Sequence, residues 1–176
     1  DAQKSVRAIR VDTPPVIDGK LDEAVWQLAQ PITDFHQIRP GNQTAPSEVT
    51  EVYVLYDDDA LYIGARMADS EPDLISAPVI RHGQGMGSDD RLVIILDPFK
   101  IEWNTIWATA TSSYDNGWIA EVEIPFKSLP FDPSIDTWGF NFGRGIRRRG
   151  EEMAWVSYNR TYNPSISGLM TGLEGM

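Results

Sequence analysis

VTEVYVLYDDDALYIGARMAD, residues 49–69, decides the fold. Val52, Val54 and Tyr56 alternate along its first half; Leu61, Ile63, Ala65 and Met67 alternate along its second. A period of two puts each set on one face of an extended strand. Between them Asp57, Asp58 and Asp59 make an acidic turn. The stretch therefore reads as a hairpin with one buried face.

The same pattern extends outward. SVRAIRV, 5–11, reads as a first strand, and HQIRPGNQTAPS, 36–47, as a polar loop. RLVIILD, 91–97, is a nearly continuous apolar run, the mark of a central strand covered on both faces. IWATATSSYDNGWIAEVEIP, 106–125, is a second hairpin turning at Asn116-Gly117, a strong turn pair. In TWGFNFGRGIRRR, 137–149, Trp138, Phe140 and Phe142 share a face. EEMAWVSYN, 151–159, is a last strand, and SISGLMTGLEGM, 165–176, carries little pattern.

One segment departs from this. In VIDGKLDEAVWQLAQP, 16–31, Leu21, Val25 and Leu28 fall on one helical stripe, Asp22 stands at the first turn, and Pro31 ends the run. Trp26 lies beside the stripe and widens the face that clamps a short helix to the rest. The expectation is an all-β chain: an antiparallel β-sandwich of eight or nine strands with one short N-terminal helix, a single domain over 1–176.

Composition narrows the function. Fifteen Lys and Arg against twenty-six Asp and Glu give a net charge of −11. Such a surface repels a phosphate polymer and argues against nucleic acid as a partner. With no Cys, disulfides and thiolate metal sites are excluded. The sequence begins at Asp1, as a processed secreted protein or an excised segment would.

Catalytic patterns are sparse. There are two His, His36 and His82, and no nucleophile elbow or His-Glu-x-x-His zinc pattern. Glu121 and Glu123 point the same way from one strand, where glycosidase carboxylates must flank a sugar, so a solvated strand face is the reading. A non-enzyme is expected. For metal, Asp89 and Asp90 after a glycine-rich loop are the candidate hard-oxygen ligands for calcium, and Asp57–Asp59 reads as an ordinary solvated turn. Arg144, Arg147, Arg148 and Arg149 read as partners for neighbouring carboxylates.

Six Trp in a β protein invite a sugar-stacking reading, with Arg and Asn bonding the hydroxyls. Trp118 and Trp138 sit within apolar alternation, as core residues do. Trp103 and Trp107 share IEWNTIW. Trp155 precedes Ser157, Tyr158, Asn159 and Arg160 at a polar-aromatic strand end, which makes it the preferred exposed stacker.

These motifs, in order, resemble the family 9 carbohydrate-binding modules. VIDGKLDEAVW is followed by LYDDDALYIGARMAD, SDDRLVIILDP, GWIAEVEIPFKSL and WGFNFGR, over about Ile9 to Arg149. More closely, the chain looks like the modules N-terminal to a predicted outer-membrane β-barrel in Gram-negative surface proteins. The resemblance implies a β-sandwich, a carbohydrate ligand held between aromatic rings, calcium supporting the fold, and a periplasmic or outer-membrane setting. It also implies a possible C-terminal continuation into the barrel. It nominates Trp155, Arg144 and Asn141 as ligand contacts, and Trp103 near the Lys100-Ile101 discontinuity and Tyr158 at the polar-aromatic strand end are further candidates. The chain departs from the pattern where Lys100 runs directly into Ile101, without the usual further hairpin, and no early aromatic partner for Trp155 is evident. Two other readings stand beside it. One is a structural or partner-docking periplasmic domain that has lost sugar binding. The other is a haem-binding sandwich using His82, Met86 or Met67.

Overall fold

A computed structural model describes residues 3–75, 89–97, 108–157 and 167–176. Among the described residues eleven strands form two facing sheets. They are β1 (Ser5–Arg7), β2 (Ile9–Arg10), β3 (His36–Arg39), β4 (Thr50–Tyr56), β5 (Ala60–Ala68) and β6 (Arg91–Asp97). After these come β7 (Ala108–Tyr114), β8 (Gly117–Pro125), β9 (Trp138–Ile146), β10 (Glu151–Ala154) and β11 (Gly168–Thr171).

The two predicted hairpins form, and the first is buried on both faces rather than one. β4 and β5 pair antiparallel from Thr50↔Met67 to Tyr56↔Leu61, and β7 and β8 pair around the Asn116-Gly117 turn. With β2 they form a five-stranded sheet in the order β2-β4-β5-β8-β7. In the six-stranded sheet β9 is central. β6 runs along one side of it, while β11 and then β10 lie along the other. β1 joins β11 in parallel, and β3 joins β10.

Eleven strands replace the expected eight or nine for three reasons. SVRAIRV is not one strand: its first half pairs with β11 and its second with β4, so the chain crosses between sheets near Ala8. β3 forms inside the expected polar loop, where Ile38 alone is apolar and is buried. The weakly patterned tail supplies β11. β6 pairs with β9 alone among the described residues and is half-buried throughout, rather than covered on both faces.

The main core lies between the sheets. Val54, Ile63 and Val122 face Trp138, Phe140 and Phe142, as the alternation requires. Burial of these side chains, at about 25 cal/mol per Å² of apolar surface, is the main cohesive term.

A second core covers the outer face of the five-stranded sheet. The expected helix is only a five-residue 3₁₀ turn, Ala24–Leu28, without a side-chain cap, and it ends three residues before Pro31. A 3₁₀ turn repeats every three residues, so the α-helical stripe does not apply. Trp26 is fully buried against Leu55 and Tyr62, whereas Leu28 is exposed. Trp26 is thus a packing residue, as read; the clamp is the indole, with Leu21, and not Leu28.

Glu121 is the other correction on this face. It is not solvated but fully buried, its Oε2 accepting the Asp18 and Gly19 amides at 2.9 and 2.7 Å. The Asp18-Gly19 turn folds over it; Gly19 has φ +86°, and a Cβ there would come within 3.0 Å of the Thr111 backbone.

Candidate functional site

The predicted contacts are largely spent on packing. Trp155 is 2% exposed, lies among the inter-sheet core against Phe140, and donates its indole N–H to Asp34 Oδ1 at 3.0 Å. The expected exposed stacker is therefore a core residue. The reason is parity: Trp155 and Met153 are two apart on an extended chain and share the inner side. Arg144 has the same parity as Phe140 and Phe142 and is 1% exposed. It donates to the carbonyls of Val49 and Ala68 at 3.2 and 2.7 Å and to Thr50 Oγ1 at 3.2 Å. Burial lowers its pKa, against the pull of Asp69 and Glu48.

Asn141, also 1% exposed, brackets the backbone of Val156: Nδ2 donates to its carbonyl at 2.6 Å and Oδ1 accepts its amide at 3.0 Å. Arg144 and Trp155 thus lie on the inner side of β9 and the end of β10 and Asn141 on the outer side, each engaged by partners within the fold. Trp103 and Tyr158 lie outside the described residues, as do His82 and Met86. Met67, the remaining haem candidate, is fully buried in the core.

The arginine run behaves as read. Arg148 meets Asp69 at 2.7 Å, Glu71 at 3.1 Å and Glu48 at 3.3 Å, and Arg149 meets Glu48 at 3.0 Å. This network joins the β9–β10 turn to the strand ends of the other sheet. Asp89 faces Arg147 at 3.6 Å, and Asp90 Oδ1 accepts the Arg147 amide at 3.0 Å. Among the described residues no group of three or more His, Cys, Asp or Glu is placed to hold a metal ion.

The outer face of the six-stranded sheet has a different character. Alternation that sends Trp138, Phe140, Phe142 and Arg144 inward leaves Gly139, Asn141, Gly143 and Gly145 facing out. Strand register lines up neighbours in rows across this face. Val93, Gly143, Ala154 and His36 form one row; Arg91, Gly145, Glu152 and Arg39 form the next. Ile95 stands beside Asn141, and Asp97 beside Gly139.

Gly143 and Ala154, both buried, form the small-residue centre of this face, flanked by half-buried Val93 and Ile95 and by the Arg91–Glu152 ion pair. The glycines are required. A Cβ at Gly145 would lie 3.0 Å from Arg91 Cγ, and one at Gly139 would lie 2.6 Å from Ser167 Oγ and 3.0 Å from Asp97 Cβ. At the β3 end His36 Nε2 and Ser157 Oγ share a hydrogen bond of 2.6 Å, and Gln43 Nε2 donates to the same hydroxyl at 3.1 Å. Burial, helped by Lys4 and opposed by Asp34, lowers the His36 pKa.

Sequence reasoning missed Val93, Ile95, Arg91, Glu152 and His36 as a group. The available signal was WGFNFGRG itself, whose bulky and small residues alternate and so imply an outer face of small residues. The face thus sets an apolar strip beside charged and neutral hydrogen-bonding groups.

Comparison with known proteins agrees with this architecture. Residues 17–100 match the family described as carbohydrate family 9 binding domain-like. No curated protein matches the chain significantly. A family 9 carbohydrate-binding module from Caldicellulosiruptor kristjanssonii in complex with cellotriose superposes with a TM-score of 0.66 at 18% identity, covering 98% of this chain and 95% of that one. The same kind of module from that organism in complex with glucose gives 0.66 at 18% identity, covering 96% and 95%. A protein from Bacteroides uniformis gives 0.65 at 12% identity, covering 97% and 99%. The chain is thus similar to the family 9 carbohydrate-binding modules in sequence over residues 17–100 and in fold over nearly its whole length.

Proposed function

We propose that this chain is a non-catalytic carbohydrate-binding module whose sugar lies on the outer face of the six-stranded sheet. The observation that carries the reading is the row Val93, Gly143, Ala154 and His36, a small-residue floor between an apolar flank and polar groups. A pyranose has one apolar face and a rim of hydroxyls. Val93 and Ile95 suit the face; Arg91, Glu152 and Asp97 suit the rim, because charged partners make the stronger hydrogen bonds. The reading is supported by the shared fold of modules that hold cellotriose and glucose. The periplasmic or outer-membrane setting belongs to the same proposal, and fractionation of the source cells checks it.

Calorimetric titration with a panel of neutral oligosaccharides of several linkages tests the function. A saturable heat with at least one of them is expected; silence toward all would sink the reading. A second reading, a structural docking domain without sugar affinity, is favoured by one observation: Trp155, Arg144 and Asn141 are all committed to packing. It predicts that silence, together with co-purification of the downstream protein.

A further inference from the structure

Leu28 has no place in either core. It is 62% exposed, and it forms one wall of a cleft of about 560 Å³. The cleft opens where the chain crosses between sheets, with Val6, Arg7 and Ile9 on one side and Leu28, Gln30 and Pro31 on the other. Its size falls within the roughly 300–1,000 Å³ of small-molecule sites.

The charge inside is uneven. Lys4, Arg7 and Asp34 line the cleft together with Ser5 and Trp155. Asp34 is already satisfied: Lys4 Nζ meets its Oδ2 at 3.0 Å, and the Trp155 indole N–H meets its Oδ1 at 3.0 Å. Lys4 is anchored in turn by the carbonyls of Asp34 and Trp155, at 2.7 and 2.8 Å. This closed cluster cancels one cation against one anion. Arg7 remains, with no carboxylate partner among the described residues, so the cleft is net positive within a chain of net charge −11.

We infer that this cleft is a second ligand site, distinct from the outer face of the six-stranded sheet, and that it takes a carboxylate-bearing sugar of the uronic acid type. The Arg7 guanidinium matches a carboxylate in a two-pronged contact. Gln30 and Ser5 present an amide and a hydroxyl to the ring hydroxyls. Leu28 and Pro31 offer the apolar wall that one face of a pyranose needs. The inference goes beyond the neutral-sugar reading and does not depend on it, since the residues of the two sites do not overlap.

Titration of the full chain with galacturonic acid, and with its neutral methyl ester, tests the inference. Binding of the acid is expected, with affinity reduced at least about tenfold for the ester and for Arg7→Gln, and weakened by salt. Arg7 is exposed, so the variant is expected to keep the wild-type melting temperature. Should it not, the ester on the wild-type protein decides alone. No binding of the acid, or equal binding of acid and ester, overturns the inference. Either result leaves the neutral-oligosaccharide titration untouched, so the two sites fail separately.

Discussion

The Trp26 ring lies directly over the bare backbone of Gly64 on β5. A Cβ at position 64 would sit 3.0 Å from Trp26 Cζ3 and 2.6 Å from Leu21 Cδ2. The signature segment and the central hairpin are therefore matched to each other: a large ring from one meets a missing side chain in the other. Gly64→Ala should destabilise the fold by about 1–3 kcal/mol through overpacking. Trp26→Ala should cost about 3–5 kcal/mol through the cavity it leaves. Denaturant unfolding measures both, and a neutral Gly64→Ala would show that the second core is loosely packed.

Asp69 ties the two sheets together electrostatically. It is buried, 2.7 Å from Arg148 and 3.9 Å from Arg144. Removing its charge leaves Arg144 buried without its nearest carboxylate. Asp69→Ala should cost about 3–5 kcal/mol, the usual penalty for stranding one partner of a buried pair. Arg149→Ala, at a more exposed point of the same network, should cost no more than about 1 kcal/mol. Comparable losses in the two variants would contradict the assignment of Asp69 as the hub.

Glu121 gives the fold a pH signature. Burial raises its pKa, opposed by the Gly19 and Asp18 amides and reinforced by the neighbouring Glu23 and Asp18 carboxylates. A carboxyl whose pKa is raised on folding contributes stability below its unfolded value of about 4.3 and loses it as pH rises through the folded value. Glu121→Gln removes that loss. The stability of the variant relative to wild type should therefore rise between about pH 4 and about pH 7. Melting curves across that range check the sign; a flat difference would mean that Glu121 is not strained by its burial.

Trp155 separates packing from binding. Trp155→Phe should lower stability, because Asp34 loses its indole donor, yet leave the affinity for cellotriose unchanged. Loss of cellotriose binding in a folded Trp155→Phe protein would restore Trp155 to the neutral-sugar site.

Much of the architecture was legible because period-two alternation is explicit in residues 49–69 and 106–125. What escaped depended on tertiary partners. His36–Arg39 forms a strand because β10 supplies its hydrogen bonds, not because its residues alternate. The split of residues 5–11 is visible only once β4 and β11 are in place. At the site, chemistry misled: Trp155, Arg144 and Asn141 have the residue types of sugar contacts, but two of them point inward and the third is bound to the backbone of Val156. Strand parity placed Arg144 beside Phe142 from the start. The small-residue rows of the outer face were harder to read, because they come from register between strands far apart in sequence.

An amide NMR titration with cellotriose tests the central claim most directly. Binding at the outer face predicts shifts concentrated on Arg91, Val93, Ile95, Glu152 and His36, saturating together, with Trp26 and Gly64 unmoved. A spectrum unchanged by the sugar, or shifts centred on the five-stranded sheet, would contradict it.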